Sequence, residues 1–512
     1  MSEKDPKPNP KPDSSEIPCS PAVKPSKVPI TETLDTLLNP GLHTSTPIFT
    51  GSLQPPEGKV YDLTVKELTE IRERRGAVVD LHPGMGGIAP QALRDFIAGG
   101  APLTSVDFML TRGCNFECTW CYAGSSPEEQ DFLPLETLRP LTEDAAEVGV
   151  QLFVLTGGEP LIYKDPALGS GRMGEHFFQV VDMIIDTYQQ NSLEPKILTF
   201  DDVALINREI AEEFAKRGIA ICTKGDTLHP ELQDFKVNQV GAFRRMQRGY
   251  QHLKDVGYGT DPNLRLVVNS VLDHTTFDGM VDVHNWVLDN GWDHSIVPIH
   301  YCGEAGGEDQ EAGIHSPHVK VLYDLLARID EAFFGISWKP WSAFTYDKTC
   351  NRNMSGLHVR ADGDVTACSE SPGRDETERY TFGNVFSPGF SLQELARSER
   401  LATYRQEFAA GTGEYVCSPN ICDLSANDLC RGGCAVRSAY SYVDRETGLI
   451  VQSDTPHRYS DRREDPLCPA WTVLAQKQGI LKPGLLEDIH VRLVTRTEDE
   501  RVNLLTFPYQ TA

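Results

Sequence analysis

The sequence predicts an α/β chain, a parallel sheet with crossover helices followed by a smaller cysteine-rich domain. Three observations carry this. From Ser105 to about Cys302, short apolar runs alternate with longer amphipathic ones, the pattern of repeated strand–helix units. The first apolar run leads straight into Cys114-Asn115-Phe116-Glu117-Cys118-Thr119-Trp120-Cys121. Beyond residue 336 the alternation stops, and seven cysteines gather between Cys350 and Cys468.

Taken in order, Ser105–Leu110 reads as strand one, Leu135–Glu147 as helix one and Gln151–Leu155 as strand two. Glu175–Gln189 is predicted helical because Phe177, Val180, Val181, Ile184 and Ile185 share one face at helical spacing. Pro195–Phe200 is strand three, followed by a helix over Ala204–Arg217 that Gly218 closes. Ile219–Lys224 is strand four, and Ala242–Val256 is a helix ending at Gly257. Leu264–Val271 is strand five, Thr276–Asn290 a helix and Ser295–His300 strand six. A helix over Val319–Ala332 precedes the second cysteine group.

A chain of 512 residues has room for two or three domains with sizeable cores. Residues 1–30 carry eight prolines among Lys, Ser and Asp, which defeats helix and sheet and predicts a disordered tail; Cys19 lies in it. Residues 31–104 read as a small extension with short helical patterns, and show no peptide-docking module of three strands and three helices. The parallel core is expected over 105–335, the cysteine-rich domain over 336–478 and a polar tail over 479–512. A formal net charge of −26 argues against nucleic acid as a partner, since phosphate binding needs clustered Lys and Arg. No apolar run is long enough for a membrane span and no secretory signal is visible, so a reducing, cytoplasmic location is expected.

The C-x3-C-x2-C run puts three thiolates on one loop, enough for three corners of a cuboidal cluster whose fourth iron stays open. A structural zinc site is the alternative, but it takes four closed ligands, usually in paired knuckles. About 36 residues on, Gln151–Thr156 runs into Gly157-Gly158-Glu159-Pro160. Two glycines let backbone approach a ligand closely, and a carboxylate pairs with an ammonium. Together these two motifs resemble the signature of the radical S-adenosylmethionine (SAM) superfamily. The resemblance implies a partial (β/α)6 barrel, a [4Fe–4S] cluster on Cys114, Cys118 and Cys121, and the SAM amino group at Gly157, Gly158 and Glu159.

In barrels of this kind chemistry sits at the C-terminal ends of strands. Lys224, Asp226, Asn269 and Cys302 fall there, and Arg265 is a further polar strand residue. Lys224 and Asp226 suit the SAM ribose or carboxylate, the substrate, or ordinary loop solvation. Cys302 suits a hydrogen-atom donor or a cluster ligand, whereas Cys222, inside strand four, reads as a buried apolar cysteine.

The second group reads C-x12-G-x4-C over Cys350, Gly363 and Cys368, then C-x4-C-x7-C-x3-C over Cys417, Cys422, Cys430 and Cys434, and closes on Cys468-Pro469. It resembles the SPASM extension of radical SAM enzymes, which binds two auxiliary [4Fe–4S] clusters; a zinc ribbon is the alternative. By that resemblance Cys350, Cys368 and Cys434 hold the nearer cluster, and Cys417, Cys422, Cys430 and Cys468 the farther one. The x4 and x7 spacings are each two residues longer than the family's. Where many members carry a further cysteine, this chain has Phe344, Thr345 and Tyr346, so the nearer cluster has an open iron or recruits Cys302 or Asp347.

The resemblance implies reductive cleavage of SAM to a 5′-deoxyadenosyl radical that takes a hydrogen atom from the substrate, with flavodoxin or ferredoxin as electron donor. Auxiliary clusters suit a net oxidation; a redox-neutral epimerisation needs a donor such as Cys302. The strand end Thr223-Lys224-Gly225-Asp226-Thr227 is similar to members that act on sugars and other small natural products. A maturase of ribosomally made peptides and a multi-cluster electron carrier are the competing readings, and the Gly-Gly-Glu-Pro turn argues against the carrier.

Overall fold

The computed structural model describes residues 103–299, 314–334, 355–371, 380–410 and short stretches between 434 and 493. The tail over 1–30, nearly all of the 31–104 extension, most of the 479–512 tail, and Cys302, Cys350, Cys417, Cys422 and Cys430 lie outside the described residues.

Six parallel strands form the centre: β1 (Ser105–Met109), β2 (Leu152–Thr156), β3 (Lys196–Asp201), β4 (Ala220–Lys224), β5 (Leu266–Leu272) and β6 (Asp293–Pro298). They neighbour one another in chain order, each joined in parallel to the next, which is the topology of a partial β/α barrel. The crossovers carry α1 (Leu135–Val148), α2 (Glu175–Gln190), α3 (Arg208–Lys216), α4 (Pro230–Lys236), α5 (Ala242–Asp255) and α6 (Met280–Asp289). α7 (Ser316–Phe334) follows β6. One face of the strands packs on these helices through Phe108, Phe153, Ile221 and Val268. The other face gathers Leu152, Val154, Leu198, Cys222 and Val267 into a smaller apolar cluster.

Several boundaries differ from expectation by a few residues, among them the start of α3 and that of β6. The helix predicted from Ala204 begins at Arg208, because the Asn207 side chain caps it by accepting from Ile210 N at 2.9 Å. Strand six runs two residues earlier than predicted, paired to β5 from Val267↔Asp293 onward. α4 was not expected: seven residues with three charges and little apolar periodicity give no sequence signal.

The sheet does not stop at the predicted 335/336 boundary. β7 (Gly356–Val359) joins the free edge of β1 in parallel, and β8 (Asp364–Thr366) and β9 (Thr381–Asn384) continue it antiparallel, for nine strands. Thr104 Oγ1 donates to Ser355 Oγ at 2.8 Å where the two segments meet. Among the described residues no helix is long and apolar enough to cross a membrane.

Candidate active site and cysteine loop

The cysteine loop leaves the C-terminal end of β1 and is held from three sides. Cys114 N donates to Ser126 O at 3.0 Å. Glu117 N and Thr119 N donate to the carbonyls of Val237 and Lys236, at 3.3 and 3.1 Å. These carbonyls close α4, so the loop satisfies acceptors that a helix end leaves open. Lys236 also forms a buried ion pair with Asp273, just past β5, both side chains 2% exposed. The unexpected helix therefore ties the cysteine loop to the opposite part of the sheet.

The Gly-Gly-Glu-Pro turn packs directly on this loop. A Cβ on Gly158 would lie 2.1 Å from Gly113 O, and one on Gly157 would lie 2.8 Å from Thr111 O. Gly158 N and Glu159 N donate to Thr111 O and Gly113 O at 2.7 and 2.9 Å. The close approach that the glycines permit is thus to the cysteine loop itself. Glu159 is buried, with Oε1 accepting from Leu161 N at 2.9 Å and Oε2 from Asp202 N at 3.0 Å.

Each of the three sulfurs faces one N–H donor: Phe116 N to Cys114 at 3.4 Å, Lys224 Nζ to Cys118 at 2.8 Å and Ser125 N to Cys121 at 3.5 Å. The Lys224 ammonium also lies over the Trp120 ring at 4.9 Å from its centroid and over Phe116 at 5.4 Å. Burial opposes that charge, but Cys118, Cys114 and Asp202 outweigh burial and hold Lys224 protonated above its usual range. Burial pushes the Cys118 thiol up to about 11 against the pull of Lys224, and Cys114 higher still. Thiols so placed become thiolates by binding metal.

Other predicted positions fall into different settings. Asp226 is buried at the end of β4, where Oδ1 accepts from Val271 N at 2.9 Å; burial raises its pKa against that bond and the nearby lysines. Asn269 Oδ1 accepts from Ser295 Oγ at 2.9 Å. Arg265 precedes β5, at the opposite end from the cysteine loop, and pairs with Asp293 at 2.7 Å. Cys222 is 2% exposed within the apolar cluster on the inner face. Sequence reasoning passed over Asp201 and Asp202, although they stand at the end of strand three, the position that drew attention to Lys224.

A family model described as the Radical SAM superfamily matches residues 108–287, the stretch that runs from β1 through α6. Residues 108–287 are a radical SAM domain. Its curated relatives include the GTP 3′,8-cyclase of Mannheimia succiniciproducens, 27% identical over 202 residues, covering 38% of this chain and 53% of that protein. The GTP 3′,8-cyclase of Paracoccus denitrificans is 25% identical over 236 residues, covering 45% and 61%. The chain thus matches little more than half the length of these relatives. Among solved structures, one titled "Native anSMEcpe with bound AdoMet" shares the fold, with a TM-score of 0.52, 14% identity, and coverage of 76% of this chain and 100% of that one.

The radical SAM domain implies a [4Fe–4S] cluster and SAM, and the loop's donor set suits the cluster. A structural zinc takes four closed ligands, and the loop supplies three sulfurs. A cuboidal cluster places its ligands on separate irons, and N–H donors to its sulfurs tune its potential.

In the C-terminal part, Cys368 is buried just after β8. Cys434 and Cys468, far apart in sequence, both bond to one residue. Asp465 Oδ2 accepts from Cys434 N at 3.0 Å, and its carbonyl accepts from Cys468 N at 3.0 Å. Arg437 pairs with the same carboxylate at 3.1 Å.

Proposed function

We propose that this radical SAM enzyme removes a hydrogen atom from a small, sugar-containing natural product and so brings about an oxidation or an epimerisation. The observation that carries the reading is the donor set on Cys114, Cys118 and Cys121, with the Lys224 ammonium beside Cys118. When bound, the [4Fe–4S] cluster and SAM supply the electron and the carbon radical that abstracts hydrogen.

The chain's own residues hold and orient. Cys114, Cys118 and Cys121 ligate the cluster, and the turn over Gly157, Gly158 and Glu159 receives the SAM amino group. Lys224 offsets thiolate charge and stands within reach of a carboxylate or ribose beside the cluster. Asp226, through Val271 N and the Gln233 amide, fixes the strand end that carries Lys224. Cys350, Cys368, Cys417, Cys422, Cys430, Cys434 and Cys468 would hold two auxiliary [4Fe–4S] clusters of SPASM type, which would supply an electron acceptor for a net oxidation. Cys302 donates a hydrogen atom or completes the nearer cluster, and flavodoxin or ferredoxin delivers the reducing electron. Relatives named for a nucleotide substrate favour a small molecule over a peptide.

The test is anaerobic incubation of reconstituted chain with SAM, a reductant and either small glycosides or short peptides. Release of 5′-deoxyadenosine that glycosides stimulate is expected. Stimulation by peptides alone would move the assignment to a peptide maturase, and no release at all would return it to an electron carrier.

A further inference from the structure

The outer side of the cysteine loop carries a basic and apolar surface. From Phe235 to Lys254, twenty residues hold five Lys or Arg and no Asp or Glu, in a chain with 74 acidic residues against 48 basic. Arg244 and Arg248, one turn apart on α5, are exposed and, among the described residues, form no ion pair. Val240, in the turn between α4 and α5, is 92% exposed, the most of any large hydrophobic among the described residues, and Phe235 of α4 is 39% exposed. The nearby carboxylates are engaged in hydrogen bonds: Asp234 caps α5 through Gly241 N and Phe243 N, and Glu117 accepts from Asn238 Nδ2 at 2.9 Å. Apolar tips beside unpaired arginines are the composition of a protein-binding patch.

The patch is built against the loop. Its first residues, Lys236 and Val237, give the carbonyls that Thr119 N and Glu117 N bond. Arg245 turns inward, with Nη2 donating to Gln239 Oε1 at 2.6 Å and Cζ 6.0 Å from the centroid of the Phe116 ring. Phe116 N in turn donates to Cys114 Sγ at 3.4 Å. Phe116 therefore connects the arginine side directly to a cysteine of the loop.

We propose that the patch of Phe235, Val240, Arg244, Arg245 and Arg248 docks a small acidic electron-carrier protein that reduces the cluster held on Cys114, Cys118 and Cys121. The inference rests on the reading that this loop holds a cluster reduced from outside. The step moves one electron and no atoms: the partner is oxidised by one electron and the cluster reduced by the same one. With a net charge of −26, the remainder of the chain repels an acidic partner. At physiological ionic strength charges beyond about 8 Å are screened, so the local basic patch decides where such a partner lands. A second copy of the chain is acidic too, but it brings no electron to the place where one has to enter.

The experiment uses the full-length, anaerobically reconstituted chain and two labelled probes, an acidic flavodoxin and an acidic ferredoxin, with Kd read by fluorescence anisotropy at about 0.15 M salt. Wild type should bind at least one of them. Arg244→Glu combined with Arg248→Glu should weaken that Kd about tenfold or more, with iron content and circular dichroism retained. Arg139→Glu combined with Arg397→Glu changes net charge equally at exposed arginines on and beside α1 and should leave the Kd close to wild type. Equal loss in both double variants would reduce the effect to net charge, and unchanged binding in the first would place the partner elsewhere; either overturns the proposal. So would wild type that binds neither probe. A first variant that changes oligomeric state on size-exclusion chromatography while binding the probe as tightly would assign the patch to a second copy instead. SAM cleavage driven by dithionite, a small reductant that needs no docking, is read separately on wild type: it decides the radical SAM chemistry, and the Kd values decide the docking site.

Discussion

Lys224 sets the electrostatics of the cysteine loop. It is a half-buried ammonium bonded to one sulfur and close to two aromatic faces. Replacing it with Met keeps the length and removes the charge. The expected result is a cluster that still assembles but whose midpoint potential, read by EPR-monitored titration, becomes more negative by tens of millivolts. At the same scale, Asp201 supplies a pH signature. Burial, and then the Asp202 charge, push its carboxyl up to about 7. The folded chain keeps a proton that the unfolded chain has already lost above about pH 3.9, so stability falls as pH rises from roughly 4 to 7. Denaturant unfolding across that range should show the decline, and Asp201→Asn should flatten it.

Individual elements explain which parts of the site could be read in advance. Cysteine spacing and strand periodicity are local, so the loop, the Gly-Gly-Glu-Pro turn and Lys224 were all singled out from sequence, and the fold brings them to one end of the sheet. α4 was missed because a seven-residue charged helix has no periodic face, yet it bonds the loop and pairs Lys236 with Asp273. Lys236 holds the Asp273 pKa down against burial, so the pair's contribution is present at neutral pH and lost only in strong acid. Asp273→Asn should leave a buried, unpaired ammonium and cost about 3–5 kcal/mol in denaturant unfolding at pH 7, with faster loss of loop iron. The glycines were legible, but the reason for them was not: their neighbour is the cysteine loop. Gly158→Ala should force those two segments apart, lowering stability by about 1–3 kcal/mol and the iron retained on reconstitution with it.

At the scale of the molecule, the pairing of β7 with β1 spans some 250 residues of sequence, and no local pattern announces it. It makes the segment from Gly356 to Asn384 a continuation of the core sheet. A chain ending before Ser355 would leave the apolar β1 with an open edge, and such edges aggregate. Size-exclusion chromatography of that truncation should show large assemblies in place of the full-length species.

The most direct test of the central claim combines iron analysis with SAM cleavage, on wild type and on the variant with Cys114, Cys118 and Cys121 all changed to Ala. Wild type should hold about twelve irons and release 5′-deoxyadenosine; the variant should hold about eight and release none. Continued release by the triple variant would contradict the assignment of the cysteine loop.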